Sequence, residues 1–116
     1  MWRDLLDSGA ILCNGTDAPV EPISPIASFH ASVTRMMETG ETFYPEQAMT
    51  REEALRSYTL DCAYASFMED VTGSLTPGKY ADIVVLDRNI MEVPDDEILD
   101  AQVDLTLVGG EIRWER

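Results

Sequence analysis

The chain has 116 residues, with 22 Asp and Glu against 8 Lys and Arg, a formal charge of −14. Hydrophobic residues at 45% suffice for one small core, which argues against a disordered chain and leaves no room for a second core. A field of this sign repels phosphate backbones and anionic lipid, so neither nucleic acid nor a membrane surface is an expected partner. The longest aliphatic stretch, Ile83 to Leu86, falls far short of the roughly 18 residues that span a bilayer. No basic-then-apolar leader opens the sequence, and the expected location is cytoplasmic. Cys13 and Cys62 are the two cysteines. They could form a lone disulfide, but two buried thiols in a reducing compartment is the preferred reading.

Met1 to Gly9 reads as the end of a helix, with Trp2, Leu5 and Leu6 on one face and Gly9 as the left-handed terminator. Nothing before Trp2 can cap that helix, so the element is expected to begin in mid-course. Ala10-Ile11-Leu12-Cys13 is an unbroken apolar run suited to a strand buried on both faces. Asn14 to Pro19 follows as a polar turn. Ser24-Pro25 signals a helix start, and Ile26, Phe29, Val33, Met36 and Met37 keep helical spacing as far as Gly40. Thr50-Arg51-Glu52-Glu53 is a capping box, and no Gly or Pro interrupts the helix it opens before Gly73.

The pattern changes at Gly73. Thr76-Pro77-Gly78-Lys79 is a turn and Tyr80 to Leu86 a strand. Asp87 to Asp100, with Pro94 and an acidic cluster, reads as a solvated loop. Val103, Leu105 and Leu107 alternate with polar residues, as do Ile112 and Trp114, and Gly109-Gly110 between them suits a two-residue hairpin. The spacing therefore predicts an α/β chain: strand, helices, then a mostly antiparallel small sheet.

Asp17 is the residue best placed for chemistry. It stands just past the apolar run, where parallel α/β architectures project their reactive groups. A carboxylate there can ligate a metal and accept a proton from water. Spacing alone favours the plainer reading, a turn cap. His30, the single histidine, sits mid-helix away from the most apolar line and reads as a surface or boundary residue. One imidazole and no Cys-x-x-Cys exclude a histidine-rich zinc site built from this chain alone. Asp95, Asp96 and Glu97 lack calcium-loop spacing, and Lys79 lacks the flanks of a phosphate loop. Met36-Met37 reads as core or gap-filler, not as a cofactor site.

Leu5 to Gly9 leading into Gly15-Thr16-Asp17-Ala18-Pro19-Val20 resembles the last barrel strand of the metal-dependent amidohydrolase superfamily, in the branch called amidohydrolase family 3. Val33-Thr34-Arg35, Phe43 to Gln47, Thr50 to Leu55, Tyr58-Thr59, Ala63 to Ala65 and Ala81 to Leu86 extend the likeness over nearly the whole chain. Gly73-x-Leu75-x-Pro77-Gly78-Lys79-x-Ala81-Asp82 carries the superfamily signature, and Thr16 to Val20 that of the branch.

The resemblance implies a (β/α)₈ barrel with a small β-sandwich, one or two divalent metals such as zinc, and hydrolysis of an amide or related C–N bond in a small-molecule substrate. It assigns Asp17 as metal-associated general base, displacing the turn-cap reading. The signature is expected to turn the chain from barrel to sandwich without chemistry of its own, with Asp82 bonding backbone. The division expected is residues 1–72 as the end of the barrel and 73–116 as part of the sandwich.

A full barrel needs about 250 residues, and the family's histidine ligands lie on strands this chain lacks. The chain is therefore expected to be a carboxyl-terminal piece, inactive alone and holding no metal by itself. The alternative is a non-enzymatic module associating, for example as a homo-oligomer, through a barrel-facing surface of Ile11, Ile26, Phe29 and Val33.

Overall fold

A computed structural model describes residues 1–116. Four short helices precede a three-stranded sheet: α1 (Trp2–Asp7), α2 (Pro25–Thr34), α3 (Arg51–Ser57), α4 (Leu60–Ala65), then β1 (Ile83–Leu86), β2 (Val103–Val108) and β3 (Glu111–Glu115). Single 3₁₀ segments lie at Pro45–Gln47 and Asp95–Asp100. The chain is thus a mixed helix and sheet domain. No helix is long and apolar enough to cross a membrane.

The strands pair antiparallel in the order β1-β2-β3, with Val84 opposite Thr106 and Thr106 opposite Trp114. Gly109 and Gly110 take φ of 60° and 83°, the two positive angles that a tight hairpin of this hand requires. Asp82 ties the sheet to the preceding turn: its Oδ1 accepts from Gly109 N at 2.8 Å and its Oδ2 from Thr72 Oγ1 at 3.0 Å. It is the backbone-bonding carboxylate expected of the signature.

Several elements differ from the sequence expectation. Ala10 to Cys13 forms no regular element and joins no sheet. A parallel strand needs hydrogen-bonded neighbours on its flanks, and this chain brings none beside it. Helix α2 begins at Pro25 as expected, though the Ser24 side chain makes no capping bond. It ends at Thr34 because Arg35 turns left-handed (φ 57°), and Met36 leaves the helix to pair with Thr42. Gly40, at φ 83°, closes that small hairpin instead of a helix.

The capping box forms as read: Thr50 Oγ1 accepts from Glu53 N at 3.2 Å, and Glu53 Oε2 accepts from Thr50 N at 2.8 Å. The helix it opens breaks at Tyr58-Thr59. Asn14 N donates to Ser57 O at 2.8 Å, taking the carbonyl that the next helical turn would use. The expected loop from Asp87 to Asp100 contains a 3₁₀ segment whose Ile98 is fully buried.

That residue completes the core. Ile98 packs with Phe29, Met49 and Ala54, and Trp2, Leu6, Leu12, Val33 and Tyr58 pack around them. An open groove of about 1120 Å³ separates the helices from the sheet, with Tyr58, Ala63, Leu75, Val84 and Val103 on its walls.

Three further expectations are corrected. Cys13 and Cys62 form a disulfide, and are not buried thiols: Cys13 is exposed, and their Cα atoms lie 4.7 Å apart, within bridging range. His30 is buried, at 6% exposure. Helix α2 packs on both α3 and the Asp95–Asp100 segment, so its buried face is wider than one apolar stripe. For the same reason Phe29 is buried and Ile26 and Val33 half-buried, leaving Ile11 as the exposed member of the four-residue apolar face.

Candidate functional site

Asp17 sits where the irregular segment 10–16 enters a turn. Its backbone is left-handed, φ 53°, a conformation that aspartate tolerates better than most residues. The turn closes through main chain, Val20 N donating to Asp17 O at 2.8 Å, and Ala18-Pro19 is cis. The carboxylate is not needed for that closure. It stands exposed, with Oδ1 over Gly15, where an added Cβ would come to 4.0 Å.

What anchors this turn lies one step back along the chain. Asn14 reaches two serines that are essentially inaccessible, Ser32 at 0% and Ser57 at 1% exposure. Its Nδ2 donates to Ser57 Oγ at 3.1 Å and to Ser32 Oγ at 3.5 Å. The serine hydroxyls donate in turn to Ala54 O at 2.7 Å and Ser28 O at 2.9 Å. The disulfide from the adjacent Cys13 to Cys62 fixes the same segment to α4. Sequence reading passed over this network. Its signal was there: serines at positions 32 and 57 fall beside the apolar positions of two helices, where only a satisfied hydroxyl belongs.

The structure brings no ligand set to Asp17. No group of three or more His, Cys, Asp or Glu side chains is arranged to hold a metal ion. A divalent cation of this chemistry needs three or four protein donors, so the residues of this chain do not fit a metal centre by themselves. Asp95 is committed elsewhere, to Arg51 Nη2 at 2.6 Å. His30 lies within the core and is in no such group.

One ion pair between the helices has a defined electrostatic effect. The Arg3 guanidinium grips both oxygens of Glu53, one of them at 2.9 Å. Hydrogen bonds from Arg3 first, and from Thr50 second, hold the Glu53 carboxyl down to about 2 against the opposing effect of burial. The pair joins α1 to α3, the helix that receives Asn14.

Comparison with known proteins decides the lineage. The profile described as Amidohydrolase family matches residues 1–113. The chain belongs to the amidohydrolase family. An N-substituted formamide deformylase of Arthrobacter pascens is 36% identical over 114 residues, covering 98% of this chain and 21% of that protein. An imidazolonepropionase of Porphyromonas gingivalis is 32% identical over 114 residues, covering 98% of this chain and 24% of that protein. In three dimensions the chain matches the crystal structure of an amidohydrolase from Thermotoga maritima MSB8, with TM-score 0.75 and 23% identity, over 98% of this chain and 25% of that one. This amidohydrolase-family chain thus spans about a fifth to a quarter of the length of the proteins it matches.

Proposed function

We propose that these residues form the carboxyl-terminal part of a metal-dependent (β/α)₈-barrel hydrolase that cleaves a C–N bond, amide or related, in a small molecule. In this reading 1–72 is the end of the barrel, 73–116 part of the sandwich, and Asp17 the carboxylate that stands at the barrel mouth. The observation that carries it is an exposed aspartate on a left-handed turn, tied down from behind by Asn14 and the disulfide, in a chain of this family. A carboxylate held that way can accept a proton from an attacking water. The divalent metal, zinc or a similar ion, belongs to the whole enzyme. Its other ligands lie outside these residues, and the isolated chain is inactive.

Two measurements test this. The 116-residue chain, given zinc or manganese, is assayed on N-substituted formamides and simple amides, with Asp17→Ala as control. Equal, background rates are expected; turnover lost in the variant would overturn the view that the chain is incomplete. In an enzyme that contains this chain, Asp17→Asn should lower kcat about 100-fold or more. Near-normal kcat would remove Asp17 from the chemistry.

The association reading rested on Ile11, Ile26, Phe29 and Val33 forming one open face. With Phe29 buried and two of the others half-covered, that face does not exist in the form expected.

A further inference from the structure

Arg35 is the arginine that this acidic chain leaves without a carboxylate. Arg3, Arg51, Arg56, Arg88, Arg113 and Arg116 each lie in ion-pair reach of an Asp or Glu. Arg35 is held by aromatic rings: its Cζ lies 4.7 Å from the Trp2 ring centroid and 5.7 Å from that of Phe43. Nε donates to Phe43 O at 3.2 Å. These contacts engage the faces of the guanidinium and one of its five donors. The outer fork of two Nη groups is left for an acceptor from elsewhere.

The backbone around this fork is strained. Arg35 and Tyr44, neither of them glycine, are both left-handed, at φ 57° and 51°. They flank one small hairpin, closed by Phe43 N donating to Arg35 O at 2.9 Å. Non-glycine residues kept in this region cost energy and concentrate at binding sites. Both of these border the same hollow of about 370 Å³, which Met1, Phe43, Glu46 and Gln47 complete.

We infer that this hollow binds a small monocarboxylate, its two oxygens on the Nη fork of Arg35. The planar fork matches a carboxylate in shape and charge. The volume suits a ligand at the small end of the usual range, and the Phe43 and Tyr44 rings suit an apolar or aromatic body. Glu46 on the wall and the net charge of −14 disfavour a second negative charge. The turn bearing Asp17 contributes nothing to these walls, so the hollow is a separate place from the carboxylate of the hydrolase reading.

Benzoate is the probe, with neutral benzamide as its isostere and succinate as the dianion, each titrated into the isotopically labelled chain and followed by backbone amide shifts. Saturable benzoate shifts should centre on residues 35, 43 and 44, with benzamide and succinate about tenfold weaker or worse. Arg35→Lys keeps the charge, loses the fork, and should weaken benzoate about tenfold. Glu46→Gln leaves the aromatic stack in place and should tighten it, which keeps the test decisive if the Arg35 variant is poorly folded. Absence of saturable shifts, benzamide binding as tightly as benzoate, or shifts centred elsewhere would each overturn the site.

Discussion

Asn14 holds Ser57 twice, through its backbone N–H to Ser57 O at 2.8 Å and through Nδ2 to Ser57 Oγ at 3.1 Å. The first bond ends α3; the second satisfies a hydroxyl that water cannot reach. Asn14→Ala keeps the first and removes the donor from two buried oxygens, Ser57 Oγ and Ser32 Oγ. The expected cost is about 1–3 kcal/mol. Asn14→Asp should cost more, since it sets a half-buried charge against two buried serine oxygens whose protons already go to Ala54 O and Ser28 O. Urea unfolding should show a lower midpoint at constant slope. A midpoint unchanged in both variants would mean that the serines need no partner beyond Ala54 O and Ser28 O.

The Cys13–Cys62 disulfide closes a loop of 49 residues in sequence separation. Cross-linking a loop of this size restricts the unfolded chain by about 4 kcal/mol on the loop-entropy account. Reduction with a dithiol should therefore lower Tm markedly, as should Cys13→Ser with Cys62→Ser. Cys13 is exposed, so the reductant can reach it without prior unfolding. Dithiol should have no effect on the double variant. An oxidised chain that melts where the reduced one does would show that the bridge contributes nothing.

Much of the architecture was legible because it is written in local chemistry. The Thr50–Glu53 box and the Gly109-Gly110 hairpin depend on residues near in sequence or on one specific angle, and each forms as read. Asp82, which bonds Gly109 27 residues on, was legible through the family signature instead. What was not legible depends on distant partners. Cys13 and Cys62 lie far apart in sequence, so no spacing rule could pair them. The break after Ser57 is caused by Asn14, 43 residues earlier. His30 looks peripheral on a helical wheel, but a second packing partner covers it. Ala10 to Cys13 has the composition of a buried strand without strands beside it. Asp17 is singled out by its neighbours in sequence and its family likeness, whereas Arg35 stands out by a missing partner, which only the fold reveals.

Glu53 makes stability depend on acid. Its carboxyl is held at about 2 in the folded chain, against an unfolded value of about 4.3. The folded state then binds fewer protons than the unfolded state in that interval, so the contribution is complete above about pH 5 and is lost as pH falls toward 2. Water screens this partly open pair, and about 1 kcal/mol is expected. Asp87, also lowered, first by the backbone N–H of Gln102, changes in the same direction. Unfolding measured from pH 6 to pH 2 should show the wild type losing more stability than Glu53→Gln. Parallel curves for the two chains would mean that the Arg3 pair has no thermodynamic weight.

Gly73 and Gly9 separate two reasons for a glycine. Both are left-handed, at φ 83° and 86°. A Cβ on Gly9 would meet nothing within 4 Å, so Gly9→Ala carries only the conformational cost, about 1 kcal/mol. A Cβ on Gly73 would lie 2.6 Å from Ala63 Cβ, 3.0 Å from Leu60 Cα and 3.1 Å from Thr59 O. Two of those are backbone atoms of the α3–α4 junction and cannot swing aside, so overlap adds to the conformational cost. Gly73→Ala should lose about 3 kcal/mol or more. Adding Ala63→Gly removes the closest clash alone and should restore part of that loss, leaving the double variant between the two single glycine variants in urea midpoint. If Gly73→Ala proved no worse than Gly9→Ala, the close approach of this turn to α4 would be wrong, and the signature glycine would be there for its φ angle only.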